Sequence, residues 1–249
     1  MDGAMPGGNM NEVRRVGDTV RRTAGPWTPT VHRYLHYLAR NGVDWAPTPL
    51  DIETAGEDGT DGDTEILSFL HGNVPLYPLP TWVWDQAVLA DGARMLRQLH
   101  DASIGFAIDG AVWQSPTKIP SEVICHNDFA PHNLAFNDEG RITGAIDFDM
   151  CSPGPRLWDI AYFATRACPL TASPPAGAPG PDEARGRIEL ILREYGSDAT
   201  WQDVVRVAVT RLYDLAELSV AKADELFKPQ LRAEAVAYER DAQYLAGWL

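Results

Sequence analysis

Two polar loops, each placed directly after a short apolar run, constrain this sequence more than any other feature. The first loop, residues 126–133, lies between the apolar runs 123–125 and 134–136. The second loop, residues 147–149, follows the run 142–146. Short apolar runs bounded by polar turns predict strands. Both loops can therefore meet at the lip of one small sheet, which would bring together three oxygen-bearing side chains, those of Asp128, Asn133 and Asp147.

These side chains suit the transfer of a phosphoryl group. A carboxylate can orient and deprotonate an attacking hydroxyl group. Mg²⁺ prefers hard oxygen ligands, which one or two carboxylates supply together with nucleotide phosphates. An amide oxygen and a carboxylate meet that need, and the metal offsets the charge on the group in transfer. The two loops therefore indicate phosphotransferase chemistry that depends on Mg²⁺ and on ATP or GTP.

The pattern of the loops resembles a known signature. His126-x-Asp128-x-x-x-x-Asn133, followed by Ile-Asp-Phe-Asp at 146–149, is similar to the motifs of the aminoglycoside phosphotransferase and choline kinase superfamily, and more distantly to protein kinases. The segment Trp-Asp-Ile-Ala at 158–161 is similar to a helix start further along that family's chain. The resemblance implies an α+β, protein-kinase-like fold with two lobes. Such a fold has a small antiparallel β N-lobe with one helix and a larger, mostly helical C-lobe.

The resemblance also implies roles for two residues of the first loop. Asp128 would be the catalytic base. His126 would brace the loop through hydrogen bonds, with Asp159 as a further structural support. We place the lobes at residues 1–72 and 73–249, because prolines interrupt the chain just after residue 72.

The resemblance also implies a metal site to which both loops contribute. Asn133 of the first loop and Asp147 of the second would bind Mg²⁺, and Asp149 would be a ligand of a second metal or an acid beside the phosphates. The acceptor would be a hydroxyl group of a small molecule such as an aminoglycoside, an amino-alcohol, a sugar or a natural-product intermediate. A hydroxylated peptide is a further possibility with the same chemistry.

The N-terminal segment predicts a β-hairpin. Residues 12–16 and 19–22 flank Gly17 and Asp18, which suit a two-residue turn. If Val16 pairs with Thr19, the alternation of strands places four side chains on one face. They are those of Val13, Arg15, Val20 and Arg22.

In the family that the sequence resembles, a cation on this sheet binds the nucleotide phosphates. The chain has lysines only at positions 118, 222 and 228, so this role falls to an arginine. We predict Arg22, with Val13 and Val20 as an apolar roof over the base, and Arg21 if the register slips by one residue. The predicted helix from 29 to 41 has no acidic residue to pair with the cation. The sequence therefore does not identify the carboxylate that pairs with this cation.

Further nucleotide contacts follow from the same resemblance. The backbone of Ser68, Phe69 and Leu70 would be the hinge that meets the base. Residues 7–9, Gly-Gly-Asn, would be a shortened phosphate-covering loop or only a flexible terminus. This short loop and the missing helix carboxylate leave open a second hypothesis, a pseudokinase-like protein that binds a nucleotide without turnover.

Charge and composition exclude several other classes. The formal net charge of the 249 residues is -14, which repels nucleic-acid phosphates and excludes a general role in binding them. The same charge serves solubility or attracts a cationic substrate. Because apolar runs are too short for a membrane span and no signal pattern opens the chain, we expect a cytoplasmic protein without membrane partners. Three widely spaced cysteines agree with reduced thiols. The oligomeric state stays open.

Three groups of residues allow two interpretations. Cys125, His126, Asp128 and His132 could form a zinc site, although strand alternation turns neighbours to opposite sides. Trp82 and Trp84 could line a substrate cleft or pack in the core. The acidic residues of the later helices could bind a cationic substrate or form a solvated helix face. They are Asp214, Glu217, Asp224 and Glu225.

Overall fold

The computed structural model of the protein describes residues 3–4, 13–54 and 62–249. The predicted phosphate-covering loop at residues 7–9 lies outside them. Contacts divide the chain into two compact units. The first contains residues 1–77, 98–128 and 132–155, and the second contains residues 78–97, 129–131 and 156–249. The lobe boundary at residue 72 stays a prediction, because this division follows contacts rather than chain order.

A five-stranded antiparallel sheet forms much of the first unit. Its strands are β1 (Gly3–Ala4), β2 (Val13–Val16), β3 (Thr19–Thr23), β4 (Pro49–Glu53) and β5 (Thr64–Ser68), in the order β1-β2-β3-β5-β4. The predicted hairpin register is confirmed: Val16 lies opposite Thr19, and Val13 lies opposite Arg22. A two-residue turn fixes this register, and Gly17 takes the positive φ of 59° that such a turn needs.

Helix α1 (Thr28–Arg40) also belongs to the first unit. Val31, Leu35 and Leu38 are buried on one face of α1, at the helical spacing that predicted it. Trp27 is the N-cap of α1, and the hydroxyl of Thr28 accepts a hydrogen bond from the backbone N–H of Gly25 at 2.9 Å. Thr28 therefore fastens the loop that enters the helix.

Two small antiparallel ladders hold the polar loops. Strand β6 (Val123–Cys125) pairs with β9 (Ser152–Gly154), and β7 (Leu134–Phe136) pairs with β8 (Ile142–Ala145). The sequence does not predict β9, because proline and glycine are poor strand residues. The pairing of β6 with β9 brings the segments before the first loop and after the second side by side.

The helices after α1 are α2 (Gln86–Ser103), α3 (Arg156–Ala167), α4 (Pro181–Tyr195), α5 (Trp201–Glu225) and α6 (Gln230–Ala246). In the second unit, α5 packs against α3, α4 and α6. It begins with a capping box between Thr200 and Asp203. The predicted α+β class is confirmed, with a small antiparallel sheet and a larger helical region. No helix in the described ranges has the length and apolar character that a membrane crossing needs.

Candidate active site

The first polar loop holds Asp128 and Asn133 in direct contact. The Asn133 side-chain amide donates from Nδ2 to Oδ2 of Asp128 at 2.8 Å and to the Asp128 carbonyl at 3.0 Å. Nε2 of His132 lies 3.5 Å from the other carboxylate oxygen of Asp128. Because Asn133 makes these bonds through nitrogen, its side-chain oxygen remains the atom that can bind a cation.

His126 joins the two loops. Its Nδ1 accepts a hydrogen bond from the backbone N–H of Asp128 at 3.2 Å, and its Nε2 lies 3.1 Å from the carbonyl oxygen of Ile146. The backbone N–H of Ile146 also donates to the carbonyl of Asn133 at 2.9 Å. The second loop therefore begins next to the end of the first loop. Both ring nitrogens of His126 are engaged in these bonds, which argues against the zinc alternative for the first loop.

Two residues of the loops have left-handed backbones. Asn127 and Asp147 both have φ of 65°. Asn and Asp tolerate this conformation better than other non-glycine residues, and such positions often mark functional sites. Nδ2 of Asn127 donates to the carbonyl of Met150 and to Oγ of Ser152, both at 2.8 Å. This second tie between the loops supports the turn that presents Asp147.

Arg22 connects the five-stranded sheet to the second loop. Its guanidinium donates from Nε to Glu65 at 2.5 Å, from Nη1 to Asp147 at 3.0 Å and from Nη2 to Asp149 at 2.5 Å. The Arg22 side chain is 9% exposed. Arg21 instead pairs with Glu53 at the surface, at 2.8 Å. Of the two candidate cations, Arg22 is the one that reaches the carboxylates of the loop.

Glu65 is a site residue that the sequence reasoning missed. It lies directly opposite Arg22 in the β3–β5 register, and it is 1% exposed. Helix α1 contributes His32, whose Nε2 lies 2.9 Å from Oε1 of Glu65. The carboxylate that the helix lacks is therefore supplied by a neighbouring strand. The only sequence signal was a charged residue inside an otherwise apolar strand, which needs a buried partner.

The electrostatics of this cluster differ from group to group. Burial raises the pKa of Glu65, but the hydrogen bond from His32 and the charge of Arg22 outweigh it and leave the pKa below its ordinary value. Burial, together with the nearby charges of Asp147 and Glu65, raises the pKa of Asp149 to about 6, although Arg22 and a hydrogen bond from Trp27 oppose the rise. For Arg22, burial alone would lower the pKa, and the charges of the three carboxylates raise it above its ordinary value.

With all groups ionised, the three carboxylates outnumber the Arg22 guanidinium, so the cluster can accept further positive charge. Asp147 is the accessible member, with a side chain 44% exposed. Carboxylate and amide oxygens are the ligands that Mg²⁺ takes, and it keeps waters and few protein ligands. The assignment of Asn133, Asp147 and Asp149 to a metal stays a prediction.

The predicted hinge follows strand β5. The N–H of Ser68 donates to the carbonyl of Thr48, and the N–H of Phe69 donates to the carbonyl of Asp18, both at 2.9 Å. The Phe69 ring lies 3.6 Å from the guanidinium carbon of Arg15. Two of the three hinge N–H groups are therefore engaged inside the protein. Val13 and Val20 are half-buried on the face that they share with Arg22, as the hairpin register requires.

The remaining candidates lie in the second unit. Asp159 is fully buried in α3. Trp84 is 3% exposed and Trp82 is 36% exposed. Asp224 pairs with Arg232 at 2.5 Å and Glu225 pairs with Lys222 at 2.9 Å, both in exposed positions. These two acids fit the solvated helix face better than a ligand site.

Comparison with known proteins confirms the predicted resemblance. Residues 109–196 match the model of the phosphotransferase enzyme family, a segment that contains both polar loops. A trifolitoxin immunity protein from Rhizobium leguminosarum bv. trifolii is 30% identical over 154 residues. That alignment covers 60% of this chain and 55% of the relative, so the chain matches little more than half of the relative's length.

Solved structures share the fold over nearly the whole chain. A choline/ethanolamine kinase family protein from Mesorhizobium loti has a TM-score of 0.66 at 16% identity, covering 98% of this chain and 87% of its own. An ethanolamine kinase from Plasmodium vivax has a TM-score of 0.67 at 12% identity, with 97% and 81% covered. The GDP complex of aminoglycoside 2'-phosphotransferase-IIIa has a TM-score of 0.67 at 12% identity, with 100% and 93% covered. The protein-kinase-like fold predicted from the sequence is confirmed.

Proposed function

We propose that this relative of the phosphotransferase enzyme family transfers the γ-phosphoryl group of ATP or GTP to a hydroxyl group of a small molecule. The observation that carries the proposal is the pair of loops joined through His126. These loops hold a carboxylate at 128, an amide at 133 and a carboxylate at 147 on neighbouring backbone. A general base and a cation site side by side are the two groups that phosphoryl transfer needs.

Asp128 acts as the base. Its side chain is 26% exposed, so an acceptor hydroxyl can reach it, and the amide of Asn133 fixes the orientation of one carboxylate oxygen. Asp128 takes the hydroxyl proton while the hydroxyl oxygen forms a bond to the γ-phosphorus. The bond from that phosphorus to the bridging oxygen breaks, and the nucleoside diphosphate leaves with the electron pair.

Asn133, Asp147 and Asp149 would hold Mg²⁺, which neutralises phosphate charge when it is bound. Arg22 supplies a second positive charge, and its planar guanidinium can bind phosphate oxygens through two parallel hydrogen bonds. Glu65 positions Arg22 from the adjacent strand. At the hinge, Leu70 is the remaining residue whose N–H could meet the base.

The comparisons favour an amine-bearing acceptor. The structural neighbours include kinases of ethanolamine and of aminoglycosides, and the net charge of -14 would attract a cationic substrate. Because one structural neighbour binds GDP, we retain GTP together with ATP as a candidate donor of the phosphoryl group. We place the protein in the cytoplasm, where nucleotides are abundant and where its three buried free cysteines would stay reduced.

A transfer assay tests the proposal. The protein is incubated with Mg²⁺ and γ-labelled ATP or GTP against a panel of hydroxylated amines, sugars and peptides. We expect labelled product with the wild type and a loss of about 100-fold or more in Asp128→Asn, because general base catalysis contributes about that much. Asp138→Asn, which changes an exposed acid in the turn between β7 and β8, is the matched control and should keep full activity. Equal turnover in the two variants would exclude Asp128 as the base.

The second candidate, a pseudokinase-like nucleotide-binding protein, is favoured by one contact. Arg22 occupies both carboxylates of the second loop, Asp147 and Asp149, which a catalytic metal would need. Melting temperatures measured with nucleotide, with and without Mg²⁺, separate the candidates. Stabilisation by nucleotide with no transfer to any acceptor of the panel would support the pseudokinase.

A further inference from the structure

A buried arginine in the second unit has no carboxylate partner. Arg187, on helix α4, is 6% exposed. Its Nη2 donates to the backbone carbonyl of Trp84, and it hydrogen-bonds the thiol of Cys168. Its Nε has no partner, and across the described ranges no acidic side chain pairs with it. A guanidinium stays charged in a protein, so an uncompensated positive charge is buried here.

The same place contains a second unsatisfied donor. The indole N–H of Trp84 is buried and makes no hydrogen bond in the described part of the chain. In the described part of the chain, the Nε–H of Arg187 and the indole N–H of Trp84 therefore remain without an acceptor. Buried donors without partners cost free energy, and they are uncommon unless an unseen group satisfies them.

Arg187 and Trp84 line a cavity of about 530 Å³. This volume lies in the range of small-molecule sites. Trp82 and Thr81 add an exposed indole and a hydroxyl to the wall. Two exposed carboxylates, those of Asp85 and Glu183, complete the polar lining.

The charges of the lining select among ligands. A group rich in acceptors and negatively charged matches the buried guanidinium and the indole N–H. A polyanion such as a nucleotide would be repelled by Asp85 and Glu183, whereas an ammonium group would be attracted to them and to the exposed indole of Trp82. The cavity therefore combines a buried cation with exposed anions.

We propose that this cavity of the second unit binds a small zwitterion, an amino acid or a compound like one, with its carboxylate on Arg187 and its ammonium group beside Asp85 and Glu183. The proposal does not depend on the phosphotransferase activity, since a protein without turnover could bind the same ligand. A carboxylate beside the guanidinium of Arg187 would neutralise its buried charge.

Three matched probes separate the two charges of the ligand. Leucine carries both groups, leucinamide lacks the carboxylate, and N-acetylleucine lacks the ammonium group. Melting temperature and saturation-transfer NMR would be measured for the full chain with each probe. We expect leucine to bind and to raise the melting temperature as its concentration rises, with a much smaller effect from N-acetylleucine and none from leucinamide. No binding by leucine, or equal binding by leucinamide, would overturn the proposal.

Substitution of Arg187 distinguishes a ligand site from a structural arginine. Arg187→Met removes the buried charge, so the ligand-free variant should melt at the same temperature as the wild type or higher, and leucine should no longer shift it. A variant that melts lower and still responds to leucine would show that Arg187 only anchors the Trp84 carbonyl. Arg185→Met, on the exposed side of the same helix, is the control and should keep the leucine response.

A second variant keeps the proposal testable if Arg187→Met does not fold. Glu183→Gln leaves Arg187 in place and removes one exposed carboxylate. We expect leucine to bind several-fold more weakly to this variant, while the response to N-acetylleucine stays unchanged or improves. A uniform change for both probes would contradict the assignment of Glu183 to the ammonium group.

Discussion

Arg22 in the first unit and Arg187 in the second are both buried but have opposite surroundings. Arg22 donates to three carboxylates, those of Glu65, Asp147 and Asp149. Arg187 has a backbone carbonyl and a thiol as partners, and one of its donors is unsatisfied. Burying a charged side chain costs on the order of several kcal/mol of free energy unless its partners compensate for the charge. The same residue type is therefore compensated within the protein at one site and left for a ligand at the other.

This difference indicates how each site responds to binding. In the proposed function, a nucleotide at Arg22 would compete with carboxylates that already bind the guanidinium, so its binding would exchange one partner for another. At Arg187 a ligand would add an anionic partner, which the described part of the chain does not supply. The first arrangement favours stability in the free protein, and the second leaves free energy available for binding.

The largest expected effect is a difference in unfolding free energy between variants of the two arginines. Arg22→Met should lower the free energy of unfolding by about 3 to 5 kcal/mol, because it leaves two buried carboxylates without their cation. Arg187→Met should leave it unchanged or raise it. Urea denaturation of both variants at neutral pH measures the difference. Equal losses of unfolding free energy in the two variants would contradict the difference between the two sites.

A smaller effect concerns the partner of Arg22. Glu65→Gln should cost about 2 kcal/mol at neutral pH, the size of a hydrogen bond to a charged group. The pKa of Glu65 is lowered in the folded protein, so its contribution is present above its ordinary value of 4.5 and is lost as the pH falls through the lowered one. The stability gap between wild type and variant should therefore close in acid below about pH 4.5.

Denaturation series from pH 3 to pH 8 test this window. Glu53→Gln is the matched control, because Glu53 forms the exposed pair with Arg21 in the same sheet. Its effect should stay below about 1 kcal/mol, which is usual for surface pairs. A gap for Glu65→Gln that widened in acid would contradict the role assigned to this carboxylate.

The smallest effect concerns the thiol beside Arg187. Burial raises the pKa of Cys168 to about 12, and the charge and hydrogen bond of Arg187 reduce the rise only in part. We expect no labelling of Cys168 by a thiol reagent at pH 8 in the folded protein, with labelling only after unfolding in urea. Mass spectrometry of labelled peptides gives the measurement. Rapid labelling of the folded protein would mean that the surroundings of Arg187 are open to solvent.

The first site was largely predictable from the sequence, because its parts are local. The two-residue turn at Gly17 and Asp18 fixes the hairpin register, and the register places Arg22 on a definite face. The spacing of Asp128 and Asn133 predicts their meeting in the same way. The kinase-like fold was implied by the resemblance of these loops to the motifs of a known family.

Other features depend on contacts between distant segments. Glu65 meets Arg22 because β5 lies beside β3, and strand neighbours that are far apart in sequence cannot be derived from local pattern alone. Arg187 reads as a polar residue of an amphipathic helix, and only packing shows that it is buried. The hinge N–H groups of Ser68 and Phe69 are engaged by other loops for the same reason.

The position of Glu65 has a consequence for control of activity. In protein kinases the glutamate that pairs with the phosphate-binding cation belongs to a helix, and displacement of that helix switches the enzyme off. Here cation and carboxylate lie on hydrogen-bonded neighbouring strands, so no helix movement can separate them while the sheet is intact. The cation and its carboxylate therefore stay paired as long as these strands stay paired. Under the proposed function, turnover would not depend on the movement of a helix at this point.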